Sequence, residues 1–283
     1  MSLEDDFCDI LKKARFGQEQ SLTALAELTH IAPSDLESLE KGQRLPTKAE
    51  IHHICQALHL RLHSLVALTL DGWMPQPQPD WTTDGEFVET IRGSIGGYEV
   101  KGYLFTDPDT KHTLMIDTGY NAQQMLATIK ARELTLIGVA LTHGHADHAG
   151  GLDQILAEWP VPVYLGNGDF DLLPWKPDLA SLKIPANHQM IALGELTVEC
   201  LATPGHTPGG FCYLTSRKGH SLCFVGDTLF AGSVGRSNPF SLYPQHLHSV
   251  RQTLLHLSKE TVLFPGHGPS TTVAEEQTHN PFG

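Results

Sequence analysis

The sequence predicts a mixed α/β domain preceded by a small all-α one, and three observations carry that prediction. Apolar residues at helical spacing fill residues 4–70 in short runs, the stretch GWMPQPQPDW at 72–81 breaks every regular pattern, and from residue 85 onward strand-length apolar runs alternate with helical ones. A chain of 283 residues with 40% apolar composition has material for one large core or two unequal ones.

The first helix carries Ile10, Leu11 and Ala14, and the second Leu22, Leu25, Ala26 and Leu28. A third runs through Ser34, Leu36 and Leu39 and is closed by Gly42, the residue type best suited to a left-handed backbone past a helix end. Thr47 caps a fourth helix with Ile51, Ile54, Cys55 and Leu58, because its hydroxyl can accept from a free N–H of the first turn. A fifth spans Leu62 to Leu68. In the Pro-Gln stretch each Pro removes a backbone donor and pushes its predecessor to extended geometry, so no helix continues there. The expected boundaries are a helical domain at 1–73, a linker at 74–84 and an α/β domain at 85–283.

Beyond the linker, EFVETI, YEVKGYLF and HTLMID read as strands, and NAQQMLATIKAR as a helix with Ala122, Met125, Leu126 and Ile129 on one face. LTLIGVALT follows as a buried strand. Further strands are expected at VPVYL, LTVECLA, GFCYLT, SLCFVG and TVLFP, and one more helix at PQHLHSVRQTLLHL, where Leu247, Val250, Leu254 and Leu257 line up.

Composition limits the partners. With 19 Lys and Arg against 32 Asp and Glu, the formal net charge is −13, the wrong sign for a chain that wraps phosphate backbones. Cys8, Cys55, Cys200, Cys212 and Cys223 are odd in number and form no C-x-x-C, which points to buried reduced thiols rather than a disulfide frame or a cysteine zinc site. The N-terminus is acidic where a secretory signal is basic and then apolar, and no run of 18 apolar residues occurs. The expectation is a cytoplasmic protein with no membrane segment.

The segment LTHGHADHAGG at 141–151 places His143, His145, Asp147 and His148 within six consecutive positions, directly after an apolar strand. Gly144 and Ala146 are small enough to let that loop turn tightly, so that its ligand atoms converge. Three later strand ends repeat the theme, with His206 in ATPGHTPGG, Asp227 in FVGDT and His267 in FPGHGPS. Four strand-to-loop junctions can therefore meet at one rim of a sheet, where α/β proteins place their chemistry. The set divides into His143, His145 and His206 for one tetrahedral site with an open position, Asp147, His148 and His267 for a second, and Asp227 as a carboxylate able to bridge them. Nitrogen and oxygen donors without sulfur suit two divalent metal ions, zinc first, with iron or manganese as alternatives. Two ions about 3.5–4 Å apart would hold a hydroxide at neutral pH and polarise a carbonyl, so the reaction class is metal-assisted hydrolysis. His52, His53, His59, His63, His246, His248 and His256 are expected on helix surfaces, away from the site.

These motifs, with MIDTG at 115–119 and GDTLFAGSVGR at 226–236, resemble the metallo-β-lactamase superfamily. Within it they are similar to the glyoxalase II-like (hydroxyacylglutathione hydrolase-like) enzymes, in particular a short bacterial branch with a PGHGP motif and an N-P-F tail, here Asn280 to Phe282. The resemblance covers residues 85–283. It implies an αββα sandwich with the metals at one edge, the same division of ligands, and Asp117 as a residue that orients the site from behind. It implies hydrolysis of a thioester or small ester by a metal-held hydroxide, with Asp147 and Asp227 as the catalytic residues that orient it, and Arg236 as a candidate contact for an anionic substrate group. Glutathione-specific members carry a basic helical extension after the last ligand, whereas 16 residues follow His267 here, and SNPFSLYPQ stands where the branch has an acidic, Gly-containing stretch. Persulfide dioxygenases share the motif set with a single iron and are the alternative reading.

Residues 7–68 resemble the Cro/repressor-type helix-turn-helix, with the L-x-x-L-A pattern at 22–26, E-x-G at 40–42 and a Pro before the fourth helix. The helix that would read DNA, Pro33 to Lys41, carries Asp35, Glu37 and Glu40 against Lys41, and residues 1–73 hold 7 Lys and Arg against 11 Asp and Glu. Phosphate contacts require the opposite sign. The expected partners are a small-molecule substrate and a second copy of the chain through the helical domain; a DNA-binding regulator with a metal-domain sensor is the alternative.

Overall fold

A computed structural model describes residues 2–78, 87–217 and 219–283. The helical segment forms α1 (Phe7–Gly17), α2 (Leu22–Thr29), α3 (Pro33–Glu40), α4 (Lys48–Leu58) and α5 (Leu62–Thr69). Local chemistry sets their ends. Gly42 takes φ +64°, and the turn it permits lets Gln43 N–H donate to Ser38 O at 2.9 Å. Thr47 accepts from Glu50 N at 3.2 Å while Glu50 accepts from Thr47 N at 2.8 Å, a reciprocal cap. Of the linker expected at 74–84, Pro75 is buried and Gln76 N–H donates to Glu275 Oε1 at 2.6 Å, while residues 79–86 lie outside the described residues.

Two six-stranded sheets form among the described residues. The first runs in the order β1 (Val88–Ile95), β2 (Tyr98–Thr106), β3 (His112–Ile116), β4 (Thr135–Ala140), β5 (Val163–Tyr164), β6 (Leu182–Lys183), antiparallel as far as β3 and parallel from there. The second holds β7 (Met190–Leu193), β8 (Leu196–Ala202), β9 (Phe211–Arg217), β10 (His220–Gly226), β11 (Val262–Pro265) and β12 (Thr271–Thr272), with only the β10/β11 pair parallel. Their facing sides bury Tyr103, Phe105, Leu114 and Ile116 against Val198, Tyr213, Phe224 and Phe264, and the Tyr103 and Phe224 rings lie 5.2 Å apart. Full burial of each such side chain contributes about 1.5–3 kcal/mol.

Helices α6 (Ala122–Ala131), α7 (Ala146–Ala149) and α8 (Leu152–Glu158) cover the outer face of the first sheet through Met125, Ile129, Ala149, Leu152 and Ile155. The outer face of the second is covered by α9 (Tyr243–His248), α10 (Val273–His279) and α1–α5 together: Leu11, Leu58 and Leu65 share one apolar cluster with Leu201, Cys223, Val250, Leu263 and Phe282. The helical segment thus completes an outer layer of an αββα sandwich. Arg61 N–H donates to Pro281 O at 2.9 Å, Ser64 Oγ to Thr278 O at 2.9 Å, and Phe16 stacks on Phe240 at 5.3 Å. No described helix is long and apolar enough to cross a membrane.

The expected helix over PQHLHSVRQTLLHL winds as α9, then a π-helical turn at Ser249–Thr253 and a 3-10 turn at Leu254–His256. Val250 and Leu254 are buried as the periodicity requires. His246 departs from expectation: it is fully buried, with Nε2 donating to Thr228 O at 2.8 Å and Nδ1 3.1 Å from Ser237 Oγ. Helix periodicity marks one apolar face, but this helix lies under a second loop that the periodicity does not report.

The chain's end is fastened by a buried carboxylate. Glu276 accepts from Gly232 N at 3.0 Å, Thr271 Oγ1 at 2.8 Å and Asn280 Nδ2 at 2.8 Å, and Asn280 also donates to Ser233 O at 2.9 Å. Burial raises the Glu276 carboxyl to about 7 although these donors oppose the rise. Its folded value lies above its unfolded one, so its contribution to stability is full below about pH 4.5, falls as pH rises toward 7 and is level beyond. The whole effect is roughly 3 kcal/mol. Thermal melts from pH 5 to 8 are expected to show that Glu276→Gln, which stays neutral, gains on the wild type as pH rises; parallel curves would sink this account.

Candidate metal centre

The loops after β4, β8, β10 and β11 deliver the site. His143 and His145 follow β4, and Asp147 and His148 lie in the single turn α7. His206 follows β8, Asp227 stands directly after β10, and His267 lies two residues past β11. Their ligand atoms gather in two groups, His143, His145 and His206 in one and Asp147, His148, Asp227 and His267 in the other, with the atoms of each group within 4.8 Å of one another.

The distances within the groups suit a cation in each. His206 Nε2 lies 3.0 Å from His145 Nδ1; in the other group His148 Nε2 lies 3.2 Å from Asp227 Oδ1, and His267 Nε2 3.3 Å from Asp147 Oδ2. Ligands about 2.0–2.1 Å from a tetrahedral ion stand about 3.3 Å apart. Asp227 serves both groups, since its Oδ2 is 3.6 Å from His206 Nε2 while its Oδ1 faces His148 and His267.

Each buried imidazole is held from behind by an acceptor, which leaves its other nitrogen free for the site. His148 Nδ1 donates to Asp117 Oδ2 at 2.8 Å, His206 Nδ1 to Arg236 O at 2.8 Å and His267 Nδ1 to Glu99 O at 2.6 Å. His143 Nδ1 lies 3.1 Å from Thr142 Oγ1, whose own hydrogen goes to Asp117 Oδ2 at 2.7 Å. These partners set the tautomer that puts Nε2 forward. His143 Nε2, His148 Nε2 and Asp227 Oδ1 are buried with no hydrogen-bond partner among the described residues, and buried polar atoms in a finished interior are ordinarily paired.

Electrostatics agree with that fit. Burial lowers His143 well below the usual imidazole range, and burial against the opposing pull of Asp227 leaves His145 lowered and His206 at about 3. All three are neutral, as a metal ligand must be. Burial also disfavours charge on His148 and His267, yet Asp227 outweighs it, helped by Asp117 at His148 and by Asp147 at His267. His148 stands well above its ordinary value and His267 at about 9. Asp227, which burial alone would raise, is held well below the carboxylate range by His267 and His148. The second group therefore favours added positive charge, which protons supply to the bare chain and a divalent ion would supply in their place.

Every sequence-derived ligand falls in one of the two groups, and Asp117 sits behind them at φ +54°, accepting from Thr142 N at 2.7 Å. The Arg236 side chain is exposed; the contact that reaches the site is its backbone carbonyl. Reading the sequence missed Asp169. This buried carboxylate accepts from Gly144 N at 3.0 Å, Thr207 Oγ1 at 2.7 Å and Gly209 N at 2.7 Å, so it ties the His143–His145 loop to the loop that carries His206. The signal was there in GNGDF, a Gly-Asp step shortly after a strand, as in FVGDT. Gly235 is also required, because a Cβ there would lie 1.9 Å from Asp227 O and 2.9 Å from His206 Nδ1.

Comparison with known proteins places this geometry. The sequence profile of the metallo-beta-lactamase superfamily matches residues 96–267, so α1–α5 lie outside it. The chain is 33% identical over 208 residues to the probable metallo-hydrolase YqgX of Bacillus subtilis, covering 68% of this chain and 95% of that one. It is 32% identical over 189 residues to the hydroxyacylglutathione hydrolase GloC of Haemophilus influenzae, covering 62% and 88%. Among solved structures, TTHA1623 in a di-iron-bound form superposes with a TM-score of 0.59 at 28% identity, covering 68% of this chain and all (100%) of that one.

Proposed function

This chain belongs to the metallo-β-lactamase superfamily, and from that premise we propose that it is a dinuclear metal-dependent hydrolase of small thioesters or esters, of the glyoxalase II kind. The observation that carries the proposal is Asp227, whose two carboxylate oxygens face two separate groups of ligand atoms. His143, His145 and His206 would hold one ion, Asp147, His148 and His267 the other, with Asp227 between. Zinc is the first candidate and iron the second, since a similar structure holds two irons. When bound, two such ions would acidify a water and polarise the substrate carbonyl.

The chain's own residues do the rest. His145 and Asp147 are the only partly exposed members of the two groups, so substrate enters on their side. Asp147 is held below the ordinary carboxylate range, because the His267 hydrogen bond and the His148 charge outweigh the effect of burial. It is therefore ionised at neutral pH and can orient an attacking water and accept its proton. Asp117, Glu99 O and Arg236 O keep the imidazoles fixed while charge moves through the site.

Lys12, Lys13, Arg15, Lys41 and Arg44 each meet a carboxylate within the helical segment, with Lys41 Nζ 2.6 Å from Glu37. That pairing leaves α3 poor in free cations for phosphate and supports a role for α1–α5 within this chain over one on DNA.

The test is metal content per chain on protein purified without added metal, with hydrolysis of S-D-lactoylglutathione and S-acetyl-mercaptoethanol followed in parallel. About two ions per chain are expected, with thioester turnover that chelation removes and added divalent metal restores. Two bound ions with no hydrolysis of any thioester or ester would overturn the proposal, and one iron with consumption of dioxygen would replace it by the dioxygenase.

A further inference from the structure

We propose that the N-terminal segment Leu3–Asp6 is a wall of the metal site, and that Glu4 is a specificity-determining residue that favours neutral or cationic substrate groups over anionic ones on the His267 side. The inference rests on the hydrolase reading for what the site binds, and on the following contacts for where Glu4 stands. Gly268 follows His267 directly, and a Cβ built there would lie 3.1 Å from both Glu4 N and Glu4 Cβ. Leu68 of α5 meets the loop after Asp227, where its Cδ2 would lie 2.6 Å from a Cβ at Gly232, while Glu4 meets the loop that carries His267. Glu4 itself is half-buried.

The segment is pinned where it lies. Asp5 is buried and accepts from Ser233 Oγ at 2.6 Å. It also pairs with Lys13, whose ammonium donates to Val234 O at 2.8 Å and sits 4.8 Å over the Phe230 ring. Phe230 stands edge-on to His267 with ring centroids 5.8 Å apart. Asp6 caps α1, so the strap joins a helix on one side and the loop after Asp227 on the other. Anchors on either side hold the Glu4 backbone beside Gly268, so its side chain starts from a fixed place at the His267 loop.

The charge of Glu4 is coupled to the site. Burial raises its carboxyl above the ordinary value, His267 opposes the rise, and the Asp5 and Asp227 carboxylates add to it. Of the nearby cations, Lys13 is paired with Asp5, while Lys101 donates to the carbonyl of Gly268 and its charge is drawn to Glu99 and Glu4. A unit charge at a rim, screened by partial solvent exposure, changes the affinity of a charged ligand several-fold at separations of about 8 Å.

The experiment uses the full chain loaded with Co(II), whose visible absorption reports thiolate binding at the metals, and needs no turnover. The probes are cysteamine, mercaptoethanol and mercaptoacetate, which are cationic, neutral and anionic thiols of similar size. Wild type is expected to bind mercaptoacetate more weakly than cysteamine. Glu4→Gln should narrow the ratio of the two dissociation constants about fivefold, and Glu4→Lys about 25-fold, with the cobalt spectrum of the thiol-free protein and the melting temperature unchanged. Glu27→Lys, an exposed change on α2 with the same effect on net charge, should leave the ratio alone. An unchanged ratio in both Glu4 variants, or an equal shift in Glu27→Lys, overturns the proposal. Cobalt-loaded protein that shows the Glu4 effect but hydrolyses no thioester leaves the wall standing and removes the thioesterase reading; a chain that takes up no cobalt removes both.

Discussion

Asp227→Ala is expected to abolish hydrolysis, by a factor of about 10³ or more, and to lower the metal content from about two ions per chain to one or none. Among the described residues this carboxylate alone faces both groups, so its loss would take a ligand from each. It also supplies the charge that holds His148 and His267 toward their protonated forms. Without it, two buried imidazoles face each other with one fewer compensating charge, and the second group would keep only one of its two carboxylates for an ion. Asp227→Asn keeps the shape and one acceptor oxygen, so it should retain an ion at His143, His145 and His206 while weakening the other site. Metal analysis and steady-state kinetics on the two variants read this directly. An alanine variant with two ions and wild-type turnover would show that Asp227 does not join the sites.

Asp169→Ala is expected to lower stability by about 3–5 kcal/mol and activity by about 10- to 100-fold, although the residue belongs to neither ligand group. The substitution leaves Gly144 N, Gly209 N and the Thr207 hydroxyl buried without their acceptor. Each donor stranded in that way costs about 1–3 kcal/mol, and the two loops it joined carry all three histidines of the first group. Asp169→Asn retains one acceptor oxygen and should lie between the variant and the wild type. The measurements are a denaturant melt, kcat and metal affinity; a variant that melts and turns over as the wild type does would remove Asp169 from the account.

What the sequence determined by itself was everything carried by neighbours along the chain. The periodicity of Ile10, Leu11 and Ala14, the Thr47 cap with Glu50, the left-handed Gly42 and the apolar run before His143 are local signals, and the corresponding elements form where those signals stand. The Gly-flanked His and Asp residues at four strand ends were legible for the same reason, since a loop that must turn tightly beside a metal leaves its glycines in the sequence. β5 and β6 were harder, because strands of two residues show no period, and β5 was visible only through the apolar run around it.

Tertiary structure alone decided the rest, and the reason is sequence distance. Whether the two oxygens of Asp227 divide between two groups depends on residues 84 positions apart along the chain, His143 and Asp227. Arg236 draws notice in the sequence for its side chain, and the structure adds a part for its carbonyl, because the loop turns the backbone toward His206 Nδ1. The helical segment reads as a unit of its own by spacing, since periodicity reports that a face is apolar but not what covers it. Packing assigned that face to the second sheet, and in doing so brought Glu4 beside Gly268, a contact that no local pattern encodes.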